Sequence, residues 1–372
     1  MTNEGHITAS ARLPQFELLR VLCMFGIVVN HFFTYGLDIY GLRADAFSIP
    51  VDGFANATLW GILEAIKLIS LVSVNCFVLI SGYFMVGTDS FRFKGMYRVW
   101  FQTLFYGVAV YLFMLVAGTD TFSWQQMLKL FFPVSTNRYW FITSYIALMA
   151  VAPFLSRMVS SLDRRNYGIL LLLGFVLCFQ YPFGQMFVDP QQLVLFAYLF
   201  LVGGYIRRFG TVPYLTDFRC VVLLLFVFCA MMAVTLVKNL TDAHEPFLIY
   251  AMGYNSLVLP FSVIVFILVV KSGCPAFLRR MLPSVSPYVL AVYLIHSHPV
   301  FQDWMWQGIG KSVMSFPLSF MPLLCLGWSL LIFVACIIVE RIRHFLFSLV
   351  RYRVVLETPF PQEAIFSDQL SY

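Results

Sequence analysis

Long apolar runs, separated by short connections that carry most of the charge, organise the chain from end to end. A helix that crosses a bilayer needs about 20 mostly apolar residues. Ten runs approach that length, near 16–36, 61–86, 97–117, 139–157, 167–182, 190–206, 220–238, 247–271, 286–301 and 316–340. The fifth and ninth are the shortest. The pattern predicts an all-α integral membrane protein with about ten transmembrane helices. They would form one polytopic domain over 12–345, with short tails at 1–11 and 346–372. No internal repeat, low-complexity tract or soluble domain interrupts the series.

Composition agrees with that pattern. The 372 residues are 60% hydrophobic, 18% aromatic and 11% charged, whereas soluble domains carry about 25% charged residues. A surface so poor in charge is matched to lipid. The net charge of +6 reports orientation and implies no nucleic-acid partner, because loop Lys and Arg set topology. The eight cysteines are scattered through apolar runs without a CxxC pair or a Cys/His cluster, so neither disulfide nor metal is implied. Glu17 and Arg20 open the first apolar run and no small-residue cleavage site follows it, which reads as a retained first span.

The charges separate by side. One set of connections and ends holds Arg12, Arg92, Lys94, Arg98, Arg157, Arg164, Arg165, Arg207, Arg208, Arg219, Lys271, Arg279, Arg280, Arg341, Arg343, Arg351 and Arg353. The other holds Arg43, Lys129, Arg138, Lys238 and Lys311, which makes 17 against 5, with Arg20 and Lys67 set aside in or beside spans. This bias predicts both termini, and both tails, in the cytoplasm and an even number of spans. The outer connections at 37–60 and 118–138 are the longer ones, where an extracytoplasmic ligand would be gripped.

Ionisable residues inside spans are costly and mark function or pairing. The first run carries Glu17, Arg20 and His31. Arg20 and His31 are eleven positions apart, three turns plus about 20°, so they share one helix face with Met24 and Ile27 between them. Their separation along the axis is about 16 Å, roughly half the hydrocarbon thickness. A cation at the inner mouth and an imidazole deep inside suit an anionic carrier on one side and proton transfer within. Two plainer readings stand beside this one: an i,i+3 pair of Glu17 with Arg20, and a hydrogen-bonded packing role for His31.

Three further segments stand out. The run from Asn75 through Ser81-Gly82 permits close backbone approach, then meets Arg92, Lys94 and Arg98, which either bind phosphates or simply carry inner-side charge. Trp140, just after Asn137-Arg138-Tyr139, opens the fourth run either as part of a site or as an interfacial anchor. His296 and His298 lie two apart, so they share a site only if the helix breaks, which Pro299 permits. No HExxH, GxSxG or P-loop pattern is present, so those chemistries have no support.

Together these segments resemble the acyltransferase 3 family of membrane-bound O-acyltransferases. Arg20 to His31 resembles the family's Arg-x10-His signature, and Phe77 to Phe84 its Phe-x-x-x-Ser-Gly-aromatic segment. Arg138 to Phe141 resembles the family's fourth-span opening, Tyr293 to His296 its Tyr-Leu-Ile-His segment, and Val339-Glu340-Arg341 its closing Glu-Arg element. The spacing of Arg92, Lys94 and Arg98 departs from the family's Arg-x-x-Arg, and Ser297 and His298 stand before Pro299 where the family often has proline at once.

The resemblance implies transfer of an acyl group, acetyl being expected, from cytoplasmic acyl-CoA to a sugar hydroxyl of a cell-envelope or exopolysaccharide glycan. The acceptor would be extracytoplasmic or lipid-linked. The location would be a bacterial plasma membrane, with no permanently bound cofactor and no metal. His31 would be the base or an acyl relay. Arg20, Arg92, Lys94, Arg98 and Ser81 would hold the donor, with Glu17, Asn75, Trp140 and His296 in support, and Asn75 or His296 orienting His31. The rival reading from the same buried His and Arg is a proton-coupled exporter or flippase, which often shows paired halves; no such symmetry is visible.

Overall fold

A computed structural model describes residues 13–38, 54–88, 90–178, 193–211, 215–241 and 257–349. The expected tail at 1–11, the expected tail from 350 on, Arg43 with most of the 37–60 connection, and parts of the fifth, sixth and eighth apolar runs lie outside the described residues; the first four residues of the expected tail at 346–372 continue the last helix. Within them the chain is helical and holds no strand.

The helices are α1 Pro14–His31, α2 Phe54–Ser70, α3 Val72–Met85, α4 Phe93–Val116, α5 Trp124–Phe131, α6 Trp140–Ser160 and α7 Arg164–Cys178. They continue with α8 Leu193–Phe209, α9 Asp217–Thr241, α10 Val258–Lys271, α11 Ala276–Met281, α12 Val289–His296, α13 Phe301–Val313 and α14 Met321–Leu349. Each of the ten apolar runs falls on one or more of these.

Six stretches are long and apolar enough to cross a membrane: Pro14–Leu37, Ala57–Met85, Phe93–Val116, Trp140–Ser160, Asp217–Val237 and Leu318–Ser348. A seventh is formed if the pair Val258–Lys271 and Ala276–His296, bent by 91°, counts as one span. α7 and α8 are described over 15 and 17 residues, up to the edge of the described segments, and α10 has 14; one straight crossing takes roughly 20. The ninth run is not one helix: α12 stops at His296 and the chain turns before Pro299.

The bundle is built around α1, which packs against α3, α2, α10, α12 and α14. In its apolar window 61% of the residues are buried, and 67% in Ala57–Met85, against 17% for α9, so α1, α2 and α3 lie inside and α9 lies at the periphery. The closest helix pair is α3 with α8. A Cβ on Gly82 would sit 2.1 Å from the Phe200 carbonyl oxygen, and one on Gly203 would sit 2.3 Å from that of Leu79. Two glycines, one on each helix, therefore let the backbones touch, the small-residue contact that membrane helices use where hydrophobic force is absent. This is the close approach expected at Ser81-Gly82, and it fixes Ser81 beside the cavity described next.

Candidate active site

The expected stripe on α1 is buried as a unit. Arg20, Met24, Ile27 and His31 all face the interior, while Leu22 on the other side is 56% exposed. Arg20 pairs with Glu17, and Glu17 also accepts a hydrogen bond from Ser286, in the turn that leads into α12. The i,i+3 pair is thus real, and it ties the N-terminal end of α1 to the segment that carries the second histidine.

Arg20, Met24 and Ile27 line a cavity of about 50 Å³, together with Ser81, Tyr145 and Tyr293. Ser81 Oγ donates to the Phe77 carbonyl at 3.0 Å and lies 3.2 Å from Tyr145 Oη. Arg20 and Arg92 both lie close enough to the Tyr145 hydroxyl to act on it electrostatically. Arg92 is half-buried just before α4; Lys94 is exposed and Arg98 half-buried on the first turns of that helix. Arg20 and Ser81 thus line one cavity with Tyr145, a residue the sequence reading did not single out, while Arg92 is not among its lining residues. The cavity ends at Ile27, one turn before His31.

Beyond that turn stands a histidine pair. His31 Nδ1 lies 2.9 Å from His296 Nε2, and Ser297 Oγ lies 3.3 Å from each of these nitrogens. His296 Nδ1 lies against the Val292 carbonyl oxygen one turn earlier in α12. The three side chains are almost wholly buried. α1 ends at His31, and the chain continues as a π-helical segment, Phe32–Asp38, whose Tyr35 presents its ring edge-on to His31. Such π segments occur often at functional sites.

The hydrogen-bond roles follow from one fixed acceptor. A carbonyl oxygen only accepts, so His296 carries its proton on Nδ1. Its Nε2 is then a lone pair, and His31 must donate to it from Nδ1. Ser297 accepts from the same His31 proton or donates to His296. Neutral His31 is left with its lone pair on Nε2, and no hydrogen bond among the described residues engages that nitrogen. The network thus fixes the tautomer of one imidazole through the other, as a histidine partner commonly does.

Other expected residues go elsewhere. His296, and not Asn75, holds His31 Nδ1; the Asn75 amide donates to Ser262 Oγ on α10 at 3.1 Å. His298 turns away from the pair after the helix break, with Nε2 donating to the Gly107 carbonyl at 3.0 Å and Nδ1 accepting from the Val300 and Phe301 amides. Trp140 is half-buried and packs on Phe141 and Phe196. Its neighbours reach α12 instead: Tyr139 Oη donates to the Leu294 carbonyl at 3.1 Å, and the Phe141 ring meets Tyr293 at 5.6 Å. Glu340 pairs with Arg343, one turn on, through two bonds of 2.6 Å, while Arg341 is exposed. Tyr106 donates to the same carboxylate.

Several buried polar residues escaped the sequence reading. Ser297 was visible only as an interruption before Pro299. Glu64 and Lys67 on α2 are fully buried, and their signal, two opposite charges at i,i+3 in an apolar run, was legible. Among the described residues no group of three or more His, Cys, Asp or Glu side chains gathers as a metal site.

No curated protein and no solved structure matches this chain. A family model described as an acyltransferase domain matches residues 13–340, a stretch that holds α1 with its Arg20–His31 face, the Ser81 seam and the His296 terminus of α12. On that match the chain belongs to the acyltransferase 3 family, and its apolar helices make it a multi-pass membrane member of it.

Proposed function

We propose that this acyltransferase moves an acetyl group from cytoplasmic acyl-CoA to a hydroxyl of a cell-envelope or exopolysaccharide sugar, with His31 as the base. The observation that carries the reading is the His31–His296 contact of 2.9 Å with its Val292 anchor. It leaves a basic imidazole nitrogen, Nε2, that no hydrogen bond among the described residues engages. The acceptor hydroxyl gives its proton to that nitrogen as its oxygen attacks the thioester carbonyl. The C–S bond breaks, and the departing thiolate recovers the proton from the imidazolium. During that interval His296 Nε2 and Ser297 Oγ face the charged Nδ1–H of His31, a charge-assisted arrangement. The same lone pair serves equally for a transient acyl-histidine.

Arg20 and Arg92 hold the donor phosphates at the inner mouth, with Lys94 and Arg98 widening the positive field there. From Arg20 to His31 the rise is about 16 Å, of the order of a pantetheine arm. A cavity of about 50 Å³ holds only one or two waters. Donor binding therefore displaces its aromatic walls, Phe77, Phe141 and Tyr145. The 17-to-5 charge bias favours cytoplasmic termini and an even number of crossings in a bacterial plasma membrane, with α7, α8, α10 and the segment ending in α12 bringing the six long stretches to ten.

The test is purified protein in liposomes, given acetyl-CoA labelled in its acetyl group and surface glycan from the host. Label on the glycan supports the reading. Intact thioester and unlabelled glycan, with glycan or proton flux across the vesicle wall, would replace it by a transporter.

A further inference from the structure

Acyl transfer at His31 leaves one charge without a partner. As the acceptor oxygen adds to the thioester, negative charge gathers on the carbonyl oxygen, and a donor positioned there is usually the largest single contribution to rate. Most donors around the histidine pair are already committed. Ser297 Oγ lies between the two imidazoles. Tyr139 Oη donates to the Leu294 carbonyl, and His298 Nε2 to that of Gly107. The Tyr293 hydroxyl is engaged by the Phe141 backbone amide.

Tyr35 stands apart from these. It lies four positions after His31, in the π-helical segment that continues α1. Its ring meets the His31 imidazole at a centroid distance of 5.1 Å and an angle of 75°. The Gln302 side chain is the hydrogen-bond partner of its hydroxyl. With the Gln302 amide donating to the phenolic oxygen, the phenolic proton is left for another acceptor. The same hydroxyl is close enough to act electrostatically on that of Tyr293, which lines the Arg20 cavity. Tyr35 therefore lies against the imidazole and within range of the wall of the donor's compartment.

The surroundings hold that hydroxyl in place. The segment Phe32–Asp38 packs along α13. Trp306 of α13 is fully buried, lies against Gly36 and meets the Phe32 ring at 6.1 Å. Gln302 precedes Trp306 by four positions, so the two share one face of α13. The indole that wedges the π segment and the amide that reaches Tyr35 are thus carried by one helix.

We propose that Tyr35 is a catalytic residue whose hydroxyl donates to the thioester carbonyl oxygen while His31 takes the acceptor proton. This rests on the acyl-transfer reading and adds the group that receives the developing charge. The acceptor oxygen bonds to the carbonyl carbon, and the C=O π pair moves onto the oxygen that Tyr35 faces. When the double bond re-forms, the C–S bond breaks and the thiolate takes the proton from His31. Tyr35 keeps its own proton throughout, so no further acid or base is needed.

The experiment compares the parent with Tyr35→Phe, as full chains in nanodiscs, by two readouts. One is steady-state transfer of labelled acetyl. The other is the infrared band of bound acetyl-CoA isotopically labelled at the thioester carbonyl, which needs binding and no turnover. Phenylalanine keeps the ring against His31 and removes only the hydroxyl. Loss of one such donor costs about 10²- to 10³-fold in kcat, and a fall of that size is expected with KM for acetyl-CoA and Tm unchanged. The carbonyl band should lie at higher frequency in the variant than in the parent. Gln302→Leu, which loosens the hydroxyl without deleting it, should lower kcat by less. A folded Tyr35→Phe enzyme with parental kcat, or with a change confined to KM, overturns the proposal and leaves the acyl-transfer reading standing. A parent that binds acetyl-CoA but moves no acetyl rejects the acyl-transfer reading, and equal carbonyl bands in the two proteins then overturn the Tyr35 hydrogen bond as well. A parent that binds no acetyl-CoA overturns both.

Discussion

Replacing His296 by alanine removes the acceptor that faces His31 Nδ1 at 2.9 Å. In the resting protein the loss is softened, because Ser297 Oγ remains 3.3 Å from the same nitrogen. In the transition state the lost bond is a charge-assisted one to an imidazolium, worth about 1.5–3 kcal/mol. Each 1.36 kcal/mol is about a factor of ten in rate, so kcat should fall about 10- to 150-fold. The KM for acyl-CoA should hold, since His296 lies beyond the Arg20 cavity. His296→Gln should recover part of the rate, because its amide oxygen can accept from Nδ1. The assay is steady-state transfer of labelled acetyl in detergent or nanodiscs, with folding checked by thermal denaturation. A folded His296→Ala enzyme with kcat within twofold of the parent, or a glutamine variant no faster than alanine, would refute the tautomer argument.

Other expectations follow from separate parts of the molecule. Gly203→Val places side-chain atoms where a Cβ already lies 2.3 Å from the Leu79 carbonyl oxygen; overpacking costs about 1–3 kcal/mol or more, so Tm should fall, and an unchanged Tm would mean that α3 and α8 are not in backbone contact. Glu340→Ala strands the buried Arg343 charge, at a cost of about 3–5 kcal/mol; adding Arg343→Met should restore much of the lost Tm, and no restoration would argue against the pair seen here. Arg20→Gln should raise KM for acyl-CoA more than it lowers kcat, and a change confined to kcat would move Arg20 away from the phosphates.

The part of the site that lies on one helix was legible in the sequence. Arg20, Met24, Ile27 and His31 share a face because eleven residues come within about 20° of three whole turns, and the structure buries all four. The histidine pair joins residues 265 positions apart, a distance no local spacing reports, so Asn75 and His296 stood as equal candidates. The ten apolar runs gave helices, but hydropathy alone does not distinguish a straight crossing from the 91° bend of α10 and the segment ending in α12. Adjacent residues also misdirect attention on a helix. The resemblance drew notice to the adjacent Glu340 and Arg341, whereas the i,i+3 rule points to Arg343, which is where the carboxylate bonds. Likewise Trp140 drew notice as an aromatic, while Tyr139 and Phe141, on either side, are the residues that touch α12.

The most direct measurement compares the parent enzyme with His31→Ala in transfer of labelled acetyl from acetyl-CoA to glycan, with both proteins folded and membrane-inserted. Loss of a positioned general base costs about 10²- to 10⁴-fold in rate, and the expected result is a drop of at least that size with acyl-CoA binding intact. Parent-level transfer by the alanine variant would contradict the account.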